Sequence, residues 1–243
     1  NHMRWFTQHL QGDVRVENIS DRRTGFQIAG PNAAKVLAAC TRDDVSTMAF
    51  MDVRKMTVGM ANCLVQRLSY TGDLGFEIYC DAMDQRALWH TLWEAGRDFD
   101  MVPFGMRAIM SLRLDKFFGS WMAEYSPDYT PAETSMDQFI SFAKNTDFIG
   151  RSAAESEREK GADRTLCAFE VDSIDADVHG YEPVWIDGEV QGFCTSGGYS
   201  HFAEKSVALA LIPAAKATEG LEVEIEILGE MRPARLTTTP HFE

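Results

Sequence analysis

The chain has 243 residues, of which 45% are hydrophobic and 25% are charged, as in soluble globular proteins with one large domain or two modest ones. With 23 Lys and Arg against 37 Asp and Glu, the formal net charge is -14. A surface of this sign repels nucleic acids and anionic membranes, so neither partner is expected. Five cysteines without a CxxC pair are typical of free thiols in a reducing compartment, which predicts a cytoplasmic protein.

The first half of the chain alternates short strands with helices. The predicted order is strand, helix, three strands and two helices, at residues 26–30, 31–38, 56–58, 64–66, 76–80, 84–96 and 103–114. In the last of these strands, apolar side chains alternate with Glu77 and Tyr79, so its two faces differ in polarity. This mixture predicts an α+β lobe with helices over one face of a mainly antiparallel sheet.

The second half of the chain has β character. After an exposed, charged helix at residues 152–161, six short strands are predicted at residues 165–171, 184–186, 190–194, 206–212, 221–227 and 234–238. Their spacing is typical of a small β-barrel or sandwich. Residues 195–198 are rich in glycine but precede no helix, so a β-turn is favoured over a phosphate-binding loop. The domain boundary is placed near residues 150–163.

Several side chains are candidate ligand contacts, each with a purely structural alternative. Glu77 is either a solvent-facing strand carboxylate or an acceptor for the paired N–H donors of a planar amino-heterocycle. Arg107 is either a surface or structural ion-pairing arginine or a guanidinium that binds a ligand carboxylate. Trp121 and Tyr125 are either packing aromatics or stacking partners of a ligand ring. The six histidines show no paired metal-ligand spacing, so no metal site is predicted.

Motifs along the chain resemble those of the aminomethyltransferase, or glycine cleavage T-protein, superfamily. SYTGDLGFEIY at residues 69–79 resembles the family signature, and RAIMSLRLDK at residues 107–116 resembles its RxxxSLRLEK helix. DFIGR at residues 147–151 and TSGGY at residues 195–199 follow in the family's order. The resemblance covers residues 13–243 and is greatest to the folate-binding C-terminal part of dimethylglycine and sarcosine dehydrogenases.

The resemblance implies a partial T-protein-like, tetrahydrofolate-binding lobe at residues 4–150 and a C-terminal β-barrel domain at residues 163–243. By position, Glu77 matches the carboxylate that anchors the pterin, and Arg107 matches the arginine that faces the glutamate tail of folate. Tyr70 matches the tyrosine that opens the glycine loop, and Trp121 matches an aromatic of the dehydrogenase branch. The implied function is transfer of an aminomethyl or methylene unit, derived from a methylated amine, to tetrahydrofolate.

The family's catalytic aspartate belongs to a preceding segment without a counterpart in this sequence, so the catalytic residue is unknown. No GxGxxG for a flavin domain occurs either. We therefore expect a piece of a longer protein or a short relative, acting as a homo-oligomer or with a separate N-terminal flavin subunit. The alternative is a non-catalytic family member that binds a ligand or a subunit, for which Trp5, Phe6 and Leu10 are candidate contacts.

Overall fold

The computed structural model describes residues 2–242. Contacts divide the chain into two compact units, the first formed by Asn1–Ser69 with Asp73–Pro103 and the second by Tyr70–Gly72 with Phe104–Glu243. The first unit holds a four-stranded sheet and the second a closed six-stranded barrel. This architecture confirms the predicted α+β fold with a C-terminal β-barrel. The domain bounds 4–150 and 163–243 stay a prediction.

The first unit combines an antiparallel sheet with three helices. The strands are β1 (Arg23–Ala29), β2 (Val53–Val58), β3 (Ala61–Gln66) and β4 (Gly75–Asp81), and the helices are α1 (His2–His9), α2 (Ala33–Cys40) and α3 (Gln85–Gly96). The strand order is β1-β4-β3-β2, and every neighbouring pair is antiparallel. β2 and β3 are joined as an antiparallel hairpin. No residue of α1 is buried.

One face of this sheet packs against α2 and α3. Phe76, Ile78 and Cys80 of β4 are buried in a core that Leu37 and Leu88 of the helices complete. Because successive strand residues point to opposite faces, the other face of β4 must carry the side chains between them. These side chains are Glu77 and Tyr79, and this open face is where the candidate carboxylate lies.

The second unit is built around the barrel. It contains α4 (Met106–Leu112), a 3-10 turn (Arg113–Lys116), α5 (Arg151–Lys160) and strands β5 (Arg164–Val171), β6 (Pro183–Ile186), β7 (Glu189–Ser200), β8 (Lys205–Pro213), β9 (Glu222–Ile227) and β10 (Glu230–Thr237). The strands close in the order β10-β5-β8-β7-β6-β9. Phe169, Ala208 and Ile225 lie in the apolar interior. Closure pairs every strand on both sides, so the barrel has no free edge.

The predicted turn at residues 195–198 is wrong, because these residues lie inside β7. They pair with β8, and the register shifts between Cys194 and Ser196. At Gly197 a β-carbon would lie 2.6 Å from Cβ of Val178, so a side chain does not fit there. The glycines therefore mark an irregular part of the strand where a neighbouring segment packs closely. Glycine is common at such positions as well as in turns, so its presence did not distinguish the two.

Candidate functional site

Glu77 lies on the open face of the sheet in the first unit, and a neighbouring tyrosine holds it in place. The hydroxyl of Tyr79, two residues further along β4, donates a hydrogen bond to Oε2 of Glu77, with the two oxygens 2.7 Å apart. Burial, followed by that hydrogen bond and the charge of Glu77, raises the pKa of Tyr79 to about 12. Tyr79 therefore keeps its proton at neutral pH and acts as a donor. One carboxylate oxygen is fixed in this way, and a carboxylate has the capacity to accept further hydrogen bonds at its other oxygen.

Two amide side chains flank Glu77 across the strands. Gln27 of β1 and Gln66 of β3 are its direct cross-strand partners, so the three side chains share one face. The amide of Gln27 donates to Oγ of Ser69 at 3.3 Å. A carboxylate between two amides offers acceptors and donors in one row, which suits a flat ring with both kinds of group. Strand register cannot be read from the sequence alone, so these amides were not predicted.

Tyr70 belongs to the second unit and has its hydroxyl engaged. The hydroxyl donates to the carbonyl oxygen of Gly119 at 2.6 Å, and the ring stacks on Phe118 with centroids 6.3 Å apart. Burial raises the pKa of Tyr70 to about 12, so the phenol stays neutral. Tyr70 therefore contacts residues 118–119, which precede Trp121 by two to three positions.

Gly72 stands in the same short loop segment and has no room for a side chain. Its φ of +86° is one that residues with a β-carbon rarely adopt, and a β-carbon would lie 2.2 Å from Cγ of Lys116. The predicted glycine-punctuated loop is thus packed against the turn that follows α4.

Arg107 and Trp121 are both accessible in the second unit. Arg107 lies on α4 and is exposed, and within residues 2–242 its side chain makes no hydrogen bond or ion pair. An exposed arginine of this kind fits both the surface alternative and a guanidinium that binds a ligand carboxylate. Trp121 is 67% exposed, so it is not a core aromatic. Both side chains are placed where a ligand could reach them.

A buried ion pair lies beneath these residues, and sequence analysis missed it. Arg113 and Glu124 are 1% and 0% exposed, with Nη1 of Arg113 3.5 Å from Oε2 of Glu124. Glu124 accepts hydrogen bonds from the backbone N–H of Ser120 at 2.7 Å, from the hydroxyl of Thr195 at 2.6 Å and from the hydroxyl of Ser196. Burial by itself would raise the pKa of Glu124, but these hydrogen bonds and the charge of Arg113 together hold the pKa below its ordinary value.

The lowered pKa of Glu124 predicts a specific loss of stability in acid. Such a group stabilises the fold fully above its ordinary pKa of 4.5 and loses that contribution as the pH falls through its lowered value. We expect the unfolding free energies of the parent chain and of Glu124→Gln to differ most at neutral pH and to converge below 4.5. Urea unfolding at several pH values measures this, and a constant difference from neutral to acid pH would contradict it.

Two cavities bear differently on the site. The larger, about 770 Å³, lies over the barrel strands and includes none of the four predicted site residues. Its lining charges are partly satisfied within the barrel, as in the ion pair of Lys205 with Glu170. The other, about 680 Å³, lies on the open face of the first unit's sheet and includes Gln66 and Tyr79. The smaller cavity is therefore the one that adjoins the partners of Glu77.

Other kinds of chemistry find no support in the part of the chain that the structure describes. Among residues 2–242, no group of three or more His, Cys, Asp or Glu side chains is arranged to hold a metal ion, and none of the helices is long and apolar enough to cross a membrane. All five cysteines are free thiols. Burial raises the pKa of Cys63 to about 11, so it is not a reactive thiolate at neutral pH.

Comparisons with known proteins match both halves of the chain. Residues 1–144 match the GCVT N-terminal domain, and residues 164–243 match the glycine cleavage T-protein C-terminal barrel domain. Mitochondrial dimethylglycine dehydrogenase of Homo sapiens is 35% identical over 243 residues, which cover 98% of this chain and 28% of that protein. An aminomethyltransferase of Anoxybacillus flavithermus is 35% identical over 240 residues, covering 98% of this chain and 66% of that protein.

The fold is also similar to that of a solved relative. The crystal structure of glycine cleavage system aminomethyltransferase T from Bartonella henselae matches with a TM-score of 0.81 and 25% identity, over 91% of this chain and 60% of that one. The chain thus spans less than a third of the dehydrogenase and 66% of the aminomethyltransferase. With both family models matched in order and the barrel present, this chain belongs to the glycine cleavage T-protein, or aminomethyltransferase, family.

Proposed function

We propose that this chain binds tetrahydrofolate and takes part in the transfer of a one-carbon unit, aminomethyl or methylene, that is derived from a methylated amine. The observation that carries the proposal is the row of Glu77, Gln27 and Gln66 on the open face of the sheet, with Tyr79 fixing one carboxylate oxygen. Membership of the aminomethyltransferase family supports it.

The pterin end of folate fits the chemistry of that row. A pterin carries an exocyclic amine beside a ring nitrogen, so its edge presents adjacent N–H donors in one plane. A carboxylate can accept both, and a charged acceptor makes hydrogen bonds about twice as strong as a neutral one. Flanking amides then serve the remaining donors and acceptors of the ring edge. Glu77 would anchor the ring, and Gln27 and Gln66 would set its orientation.

For the rest of the ligand, the resemblance to the family points to Arg107, Trp121 and Tyr70. Arg107 carries an exposed guanidinium without a protein partner in the described chain, which suits the glutamate carboxylates of folate. In a chain with a net charge of -14, such a local positive group is what allows an anionic ligand to bind. Trp121 offers an exposed indole for stacking, and Tyr70 contributes its ring because its hydroxyl is engaged.

The proposed roles of the ligand and of the chain differ because the reacting atoms belong to the ligand. When bound, tetrahydrofolate supplies the nitrogens that accept the one-carbon unit. The residues of this chain bind and orient the ligand, which fixes the position of those nitrogens relative to the incoming unit. No catalytic residue is assigned among them.

Replacing Glu77 by alanine is expected to weaken tetrahydrofolate binding by about 1.5–3 kcal/mol, the range for a hydrogen bond to a charged group. This is a roughly ten- to hundredfold rise in the dissociation constant. Calorimetric titration of 5-formyltetrahydrofolate, an oxidation-resistant form, measures it. Glu77→Gln keeps the shape and loses the charge, so we expect an intermediate effect.

Glu94→Ala is the matched control for the Glu77 variant. Glu94 is a carboxylate of the same unit, on α3, and it pairs with Arg97 at 3.1 Å with both side chains more than half exposed. We expect its dissociation constant to stay within about twofold of the parent value. Equal affinity of the Glu77→Ala and parent chains would remove Glu77 from the site. A folded parent chain that binds no folate would favour the non-catalytic alternative.

A further inference from the structure

We infer that the buried ion pair of Arg113 and Glu124 positions residues 117–125, the segment that holds Tyr70 and carries Trp121. Arg113 and Glu124 are positioning residues in this inference, because neither would touch the ligand. The inference rests on the proposed function, since Tyr70 and Trp121 are two of its four proposed ligand contacts.

Burial makes this ion pair an unusual choice for stability alone. Arg113 and Glu124 are 1% and 0% exposed, and the desolvation of two charges can exceed what their attraction returns. Apolar residues of similar volume would often serve the fold as well. A buried ion pair is better explained when its directional hydrogen bonds hold a backbone segment in one conformation, here residues 117–125.

The ion pair makes hydrogen bonds to the backbone of this segment. Nη1 of Arg113 donates to the carbonyl oxygen of Phe118 at 2.7 Å, and the backbone N–H of Phe118 donates to the carbonyl oxygen of Arg113 at 3.1 Å. The backbone N–H of Ser120 donates to Oε2 of Glu124 at 2.7 Å. Gly119, between these two anchored residues, presents the carbonyl oxygen to which the Tyr70 hydroxyl donates. The ion pair thus fixes the acceptor of Tyr70 from both sides.

The backbone of the segment is strained at two positions, so it depends on surrounding contacts to keep its conformation. Phe117 and Met122 have φ values of 56° and 71°, in the left-handed region that side chains other than glycine disfavour. Strained residues persist only where surrounding contacts over-determine them. These two lie at either side of residues 118–121, so the strain brackets the stretch that the ion pair anchors.

The barrel supplies the fixed support on the other side of the pair. Nη2 of Arg113 donates to the hydroxyl of Ser196 at 2.7 Å, and both Thr195 and Ser196 donate to Oε1 of Glu124. Consecutive residues of a regular strand point to opposite faces. The register shift of β7 lies between Cys194 and Ser196, and an irregularity of this kind can aim both hydroxyls at one carboxylate. The first two residues of the TSGGY motif therefore support the ion pair, a role that the proposed ligand contacts alone do not explain.

Glu124→Gln tests the inference because it keeps the shape and removes the charge. Two readouts are needed: the dissociation constant of 5-formyltetrahydrofolate, and the near-UV circular dichroism due to Trp121, taken as the difference between each chain and its Trp121→Phe counterpart. We expect a roughly fivefold or larger rise in the dissociation constant and a loss of most of the Trp121 signal, because a loosened segment no longer holds the indole in one asymmetric environment. Thr195→Val removes one hydrogen bond to Glu124 and serves as a milder variant with smaller changes in the same direction.

Glu133→Gln is the matched control. Glu133 is a mostly buried carboxylate of the same unit, paired with Arg164 at 2.5 Å, and its hydrogen-bond partners lie outside residues 117–125. We expect both readouts to stay at the parent level. Parent-like values in Glu124→Gln, or equal changes in Glu124→Gln and Glu133→Gln, would overturn the inference. A parent chain that binds no folate would instead reject the proposed function, and the Trp121 signal would still decide whether the ion pair positions the segment.

Discussion

Replacing Arg113 by methionine is expected to lower the free energy of unfolding by about 3–5 kcal/mol, the cost of breaking a buried ion pair on one side. The change leaves the Glu124 carboxylate, 0% exposed, without its counter-charge. It also removes the hydrogen bonds to the carbonyl oxygens of Met110 and Phe118. Methionine keeps most of the apolar stem, so packing loss contributes little. Urea unfolding followed by far-UV circular dichroism measures the effect.

Two further variants separate the unpaired charge from other causes. Arg97→Met breaks a pair with Glu94 in which both side chains are more than half exposed, and we expect a change within about 0.5 kcal/mol. The double variant Arg113→Met with Glu124→Gln should recover part of the loss, because no charge is left buried alone. A loss below about 1 kcal/mol for Arg113→Met would mean that water reaches Glu124 after the change.

Local periodicity was enough to predict most of the fold. In β4 the alternation of apolar residues with Glu77 and Tyr79 predicted two faces of different polarity, and the structure places Phe76 and Ile78 in the core. The barrel strands were predicted from short strand-like runs and their spacing, which are also local properties of the sequence. The motif at residues 195–198 failed because glycine permits both a turn and a tightly packed strand, and only the neighbour, Val178, decides between them.

Long-range pairing explains what the sequence could not reveal about the site. Ser196 is 83 residues from Arg113 along the chain, and nothing in either local sequence indicates the other. Gln27 and Gln66 became visible as partners of Glu77 only through the strand register. The roles of Glu77, Arg107, Tyr70 and Trp121 came from resemblance to a family. They stay predictions until a ligand is titrated.

Replacing Phe169 by alanine is expected to lower the free energy of unfolding of the barrel by about 3–5 kcal/mol. Phe169 is 0% exposed, and its cross-strand neighbours in β10 and β8 are Leu236 and Ala208. The loss combines burial of the ring with the cavity it leaves. The cost should reach the upper part of the range because β5 is hydrogen-bonded on both sides within a closed barrel, so the walls cannot move inward without breaking ladders.

The same reasoning gives the controls for the barrel and the result that would contradict it. Phe169→Leu refills most of the volume and should cost less than half as much as the alanine variant, because the cavity term depends on the space left empty. Ile174→Ala removes a side chain that is 100% exposed in the same unit, so no more than about 0.5 kcal/mol is expected. If Phe169→Ala and Phe169→Leu lost equal stability in urea unfolding, the cost would come from the ring's specific contacts. The barrel wall would then be able to move into the empty space, and barrel closure would not determine how much stability a cavity costs.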